Sequence, residues 1–178
     1  MTSMSERLNK PISTAEMERR WGAVRAVMES EGIDVLLMQS NNDHMGGYTK
    51  YFTDTPATNG YPNTVIFPRD DYMTKINQGP FNLDRVLDPA GSDGVNRGVK
   101  RAMTTPSYES APYTRNYDPE LACKALKPYE NSKVGLVGTY QMSSAMVDYV
   151  REQYPNATYV EFSDAIDRIK DIKSEEEI

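Results

Sequence analysis

Regular apolar spacing first appears at Met17, Trp21, Val24 and Met28, four, three and four residues apart, which places them on one face of a helix. Ser13 and Glu16 stand at the spacing of a capping box and predict its start, and Gly32 supplies its stop. Directly afterwards, Ile33 and Val35-Leu36-Leu37-Met38 form an apolar run of strand formers, as expected of a strand covered on both faces. Residues 41–63 are crowded with Asn, Asp, Gly, Thr and Tyr and predict a loop with one helical turn around His44 to Phe52. Thr64 to Phe67 and Tyr72 to Ile76 then flank Pro68-Arg69-Asp70-Asp71, which predicts a hairpin.

Residues 78–96 show little pattern, although Leu83, Val86 and Leu87 suggest a brief helix. Asp118 followed by Pro119 predicts an N-cap and first helical position, with Leu121, Ala122, Ala125 and Leu126 as the apolar stripe and Pro128 as the end. Lys133 to Val137 reads as a strand, Thr139 as a cap, and Met142, Met146, Tyr149 and Val150 as the inner face of a longer helix. Thr158 to Phe162 predicts one more strand, after which Ser163 caps a helix bearing Ile166, Ile169 and Ile172. Ser174 and Glu177 repeat the capping-box spacing, so a further helix is expected to start at Ser174 and to continue past Ile178. Strands and helices alternating around a central hairpin predict an α/β fold, a mixed β-sheet with helices on both faces.

A length of 178 residues suits one domain. The 26 acidic residues against 20 basic ones leave a net charge of -6, which opposes the counterion-release attraction behind nucleic-acid binding. No apolar run approaches the roughly 18 residues that would span a bilayer, so no membrane partner is expected. Cys123 is the single cysteine; it permits no internal disulfide and fits a cytoplasmic location.

Candidate chemistry is sparse. His44 is the only histidine, so a triad would have to run through it and a multi-histidine metal site cannot form within the chain. Its neighbours Asp43 and Gly46-Gly47-Tyr48 lie just past a central strand, where open sheets tend to place ligands, although a lone histidine is more often structural or merely exposed. Val134-Gly135-Leu136-Val137-Gly138-Thr139 lacks the spacing that lets backbone approach a pyrophosphate; Gly138 instead suits a tight turn and Gly135 a close strand contact. Asp70-Asp71 and Glu175-Glu176-Glu177 are accounted for by solvation and the helix dipole. Tyr48, Tyr51, Tyr61, Tyr108, Tyr113 and Tyr117 fall in loop-like segments, which leaves two readings open: rings facing a partner, or rings filling half-buried strand edges. No phosphate cradle or convergent charge cluster is visible that would mark a stand-alone metabolite-binding domain.

The order of segments is familiar. Met17 to Ser40, with Glu31-Gly32-Ile33-Asp34 leading into Val35-Leu36-Leu37, resembles the opening of the N-terminal domain of creatinase, prolidase and Xaa-Pro aminopeptidase proteins. Tyr48 to Phe52, Thr64 to Pro68 and Val134 to Val137 resemble later segments of that domain, and Asp164 to Ile178 resembles its junction with the catalytic domain. The resemblance implies a ribonuclease-H-like creatinase N-terminal domain over residues 13–173, preceded by a mobile lead over 1–12 and followed at 174–178 by the start of a linker helix. It implies a chain inactive alone, with no catalytic residue, metal or cofactor of its own. Its partner would be a C-terminal "pita-bread" catalytic domain, in which two divalent ions (Mn, Co or Zn) can sit, and a homodimer is expected. Asp43, His44, Tyr48, Tyr51 and Tyr61 are the residues expected at a substrate entrance or subunit interface. A binding module from a catalytically inactive protein of the same architecture is the other reading.

Overall fold

The computed structural model describes residues 11–44, 47–57, 60–108 and 110–178. Helix α1 (Thr14–Glu31) begins where the capping box predicts: Ser13 is the N-cap and its Oγ accepts from the Glu16 amide at 3.1 Å. Gly32 closes it in the left-handed conformation at φ 65°, donating to carbonyls of the last turn. Met17, Trp21, Val24 and Met28 are all buried, and Trp21 Nε1 donates to the Phe52 carbonyl at 2.9 Å.

The next strand, β1 (Val35–Ser40), has all six residues buried. On one side it pairs antiparallel with β2 (Asn63–Pro68), which turns back into β3 (Met73–Gln78) as the expected hairpin. On the other it pairs parallel with β6 (Lys133–Val137), and β6 with β7 (Thr158–Glu161). Beyond β3 come β5 (Val99–Thr105), parallel to β3, and the edge strand β4 (Leu83–Val86), antiparallel to β5. The sheet order is therefore β4-β5-β3-β2-β1-β6-β7. Two antiparallel steps from β1 to β3 restore direction, so β1, β3, β5, β6 and β7 all point their carboxyl ends to one edge.

Alternation along β1 splits the core in two. Leu36 and Met38 join Val65, Phe67, Met73 and Val137 under α1, α2 (Tyr48–Thr53) and α5 (Ser163–Lys170). Val35 and Leu37 join Ile66, Ile76 and Met103 under α3 (Tyr117–Leu126) and α4 (Ser144–Gln153). The expected fold class, a mixed sheet with helices on both faces, is the one found.

Several local expectations are corrected. Leu83 and Val86 belong to β4, not a helix, because β5 offers them a ladder to pair with. The turn expected near His44 is α2, which starts at Tyr48. Ser143, not Thr139, caps α4 by accepting from the Met146 amide at 3.1 Å, while the Thr139 hydroxyl donates to Glu161. Ser163 is the first residue of α5 rather than its cap; its Oγ accepts from the Gly138 amide at 2.7 Å, and Ile172 beyond the helix is 69% exposed. Of the expected mobile lead only residues 11 and 12 lie within the described residues, and there the Ile12 amide donates to Asp54 at 3.0 Å.

No helix forms over Ser174–Ile178, and the acidic cluster there is more than solvated surface. Glu176 accepts from the Ser13 amide at 2.9 Å and from its hydroxyl at 2.6 Å, taking the place that Glu16 would hold in a reciprocal capping box. Glu16 turns instead to Arg19 and Arg20, and Glu177 closes the cluster with 2.9 Å to Arg20. Arg20 is 5% exposed and lies 4.7 Å over the Tyr51 ring. The hydrogen bond from Arg19, opposed by burial and helped by Arg20, holds the Glu16 carboxyl down to about 2. A depressed acid stabilises the fold above its unfolded value of 4.5, and that contribution is lost as the pH falls toward 2.

Two substitutions test these contacts by urea denaturation. Gly138 has φ 72°, and a Cβ there would lie 2.7 Å from Tyr48 Cδ2, so Gly138→Ala should cost about 1–3 kcal/mol. Glu177→Ala leaves Arg20 buried with one carboxylate fewer and should cost about 1–3 kcal/mol at neutral pH; an unchanged midpoint would show that the C-terminal segment is not held to α1 in solution.

Candidate functional site

The five residues expected at an entrance or interface divide into three places. Asp43 and His44 lie in the loop after β1, where Asp43 Oδ2 accepts from the Ala57 amide at 3.0 Å and His44 is exposed. Tyr48 and Tyr51 sit on α2 and are 3% and 6% exposed. The Tyr48 hydroxyl donates to Asp167 at 2.9 Å, and burial together with Asp167 and Tyr140 drives its pKa far above the ordinary phenol value. Their rings are covered because Gly47, at φ 56°, starts α2 and turns both onto the α1 side of the core. Tyr61 is half-buried, edge-on to Tyr108 at 5.5 Å, on a different part of the surface. Met45 and Gly46 of the same segment fall outside the described residues.

A different set of residues converges at the carboxyl edge of the sheet. A cavity of about 370 Å³ opens there between the ends of β1 and β5 and the starts of α3 and α4, a volume at the lower end of the range of about 300–1,000 Å³ for small-ligand sites. Gln39 at the end of β1 braces it: Nε2 donates to Thr64 at 3.1 Å, and Oε1 accepts from the Ser143 amide at 3.2 Å. Ser143, Ser144 and Ala145 bring the amino end of α4 to one wall, and Arg115, just ahead of α3, also lines it.

Asp118 completes the lining and departs from its expected part as a cap. Asn116 is the N-cap of α3, which places Asp118 inside the first turn, 2% exposed. Neither carboxylate oxygen has a hydrogen-bond partner among the described residues. Burial pushes its pKa up to about 7, the Ser107 hydroxyl tempering the shift from nearby without meeting hydrogen-bond geometry. An acid-Pro pair ahead of an apolar stripe is the common mark of a helix start, and nothing local told that this carboxylate would be enclosed.

Two further groups are buried elsewhere. Lys75 on β3 is 5% exposed and donates to Thr55 Oγ1 at 3.0 Å and Asn96 Oδ1 at 3.1 Å, and burial lowers its pKa. A lysine sharing its strand face with Met73 was the available mark of it. Burial pushes the Cys123 thiol up to about 11, so it packs as a small apolar side chain. Among the described residues no group of three His, Cys, Asp or Glu side chains is placed to hold a metal, and no helix is long and apolar enough to cross a membrane.

No protein-family model matches the chain, and no curated protein matches it in sequence. Solved structures do match in fold. An XXA-Pro aminopeptidase structure from Streptococcus pyogenes superimposes with a TM-score of 0.58 at 13% identity, over 88% of this chain and 99% of that one. The N-terminal domain of the cytoplasmic peptidase PepQ from Mycobacterium tuberculosis gives 0.54 at 12% identity, over 85% and 98%. A prolidase from Thermococcus sibiricus gives 0.60 at 13%, over 93% of this chain and 39% of that one. The shared property is the fold, and it is the fold that the creatinase/prolidase resemblance implied.

Asp118 generates a pH prediction. Its folded pKa lies above the ordinary 3.8, so the folded state keeps a proton that the unfolded chain releases, and stability falls as the pH rises from 4 toward 7. Asp118→Asn should remove that slope, matching the unsubstituted protein near pH 4 and exceeding it at pH 8 by as much as about 4 kcal/mol, as read from urea midpoints across the range.

Proposed function

We propose that this chain is the noncatalytic N-terminal domain of a creatinase/prolidase-like hydrolase, an Xaa-Pro peptidase or related C–N hydrolase. The observation that carries the reading is the pattern of coverage. The chain spans 98–99% of domain-sized neighbours and only 37% and 40% of the Xaa-Pro dipeptidase from Bacillus anthracis and the dipeptidase PepE from Mycobacterium ulcerans. In this reading residues 13–173 form the domain and 174–178 the junction, whose Glu176 and Glu177 are seated on α1 and its cap. The C-terminal catalytic domain is the partner, with two divalent ions where the chemistry is metal-dependent, and the protein works as a homodimer in the cytoplasm. Asp43, His44 and Tyr61 face the substrate entrance or the subunit interface, while Tyr48 and Tyr51 lie buried on α2.

The test is an assay of the 178-residue chain beside a polypeptide extended by a pita-bread domain, on Xaa-Pro dipeptides with manganese or cobalt. Only the extended protein should turn substrate over, and turnover by the shorter chain would contradict the assignment.

A further inference from the structure

The cavity at the carboxyl edge has no lining residue from the 174–178 junction and adjoins Tyr61 only through Pro62 and Tyr108, and its chemistry is bipolar. Its one acid, Asp118, is enclosed with two unsatisfied oxygens. The rest of its charged and dipolar lining is electropositive: Arg115, just ahead of α3, brings a permanent cation, and Ser144 and Ala145 are the first two residues of the ten-residue helix α4, whose opening N–H groups have no partners within the helix. A simple cation would satisfy Asp118 but would face the guanidinium and the positive helix end. A simple anion would suit that lining but would sit against Asp118. A molecule carrying both charges satisfies both.

We propose that this cavity binds a small zwitterion, a free amino acid or a dipeptide, with its ammonium on Asp118 and its carboxylate against Arg115 and the amino end of α4. A cavity of about 370 Å³ has room for a dipeptide of small residues, and a site of this kind orients its ligand by a few placed polar groups. Gln39, donating to Thr64 and accepting from the Ser143 amide, holds the amino end of α4 in place against the sheet. The ammonium would supply the three donors that the Asp118 oxygens lack. Burial alone makes this acid reluctant to ionise, and an incoming cation removes that reluctance.

The test follows amide chemical shifts of the ¹⁵N-labelled 178-residue chain during titration with L-alanine and with L-alanyl-L-alanine. Saturable shifts are expected at Ser107, Asp118, Ser144 and Ala145, with a dissociation constant between about 10 μM and 1 mM. Saturation by the dipeptide alone, or by alanine alone, would each support the proposal and say which zwitterion is taken. N-acetylation or C-terminal amidation of the bound probe should each weaken it at least about tenfold. Asp118→Asn should weaken it by a similar factor while remaining folded, and Arg115→Gln should weaken the free-carboxylate form more than the amidated one. No saturable shift with either probe up to about 10 mM would overturn the proposal, as would blocked probes binding as well as free ones or an unchanged affinity in Asp118→Asn. Turnover is not a readout here, so failure of this assignment is distinct from failure of the proposed function.

Discussion

Everything in the fold is arranged around a six-residue strand with no face left for water. All of β1 is buried, and each of its apolar side chains gains about 1.5–3 kcal/mol by staying so, which requires cover above and below. Val35 and Leu37 demand one layer and Leu36 and Met38 the other, so α3 and α4 must occupy the side opposite to α1, α2 and α5. The strand ends in polar Gln39 and Ser40, and there its role changes from filling the core to organising loops. Gln39 ties Thr64 to the α4 cap, and Ser40 hydrogen-bonds Gln141 and the Asn42 carbonyl. The carboxyl-edge cavity hangs from that polar end.

The elements legible in the sequence are those whose burial is periodic and local: α1, β1, the β2–β3 hairpin, β6 and the inner face of α4. Strand β5 was not legible, and its geometry says why. A bulge opposite Met73 and Thr74 breaks its alternation, so Val99 faces the α1 side while Met103 faces the α3 side. Strand β4 is a four-residue edge whose centre is charged, with Asp84 paired to Arg101 and Lys124, so no apolar alternation marks it as a strand. The misplaced caps have a common cause as well. Thr139 and Ser143, or Asn116 and Asp118, all have caps' side chains, and spacing alone cannot choose among neighbours that each satisfy the local rule. Of the cavity nothing was legible, because Gln39, Ser107, Asp118 and Ser143 come from four separate segments and converge only when the sheet is assembled.

Two buried charge arrangements in this small domain obey opposite logic. Around Arg20, two carboxylates, a carbonyl and an aromatic face compensate for the water that the guanidinium gives up. Such a cluster joins two distant pieces of chain and specifies how they meet, whatever its net energy. Asp118 has no such company. An isolated buried carboxylate destabilises the fold that encloses it. What distinguishes the position is that Asp118 is one of the residues lining an open cavity together with Arg115 and the amino end of α4, so a partner for its carboxylate can come from outside the chain. The deficit and the cavity are thus two aspects of one feature: a charge left unpaired within the chain is a charge available to a ligand.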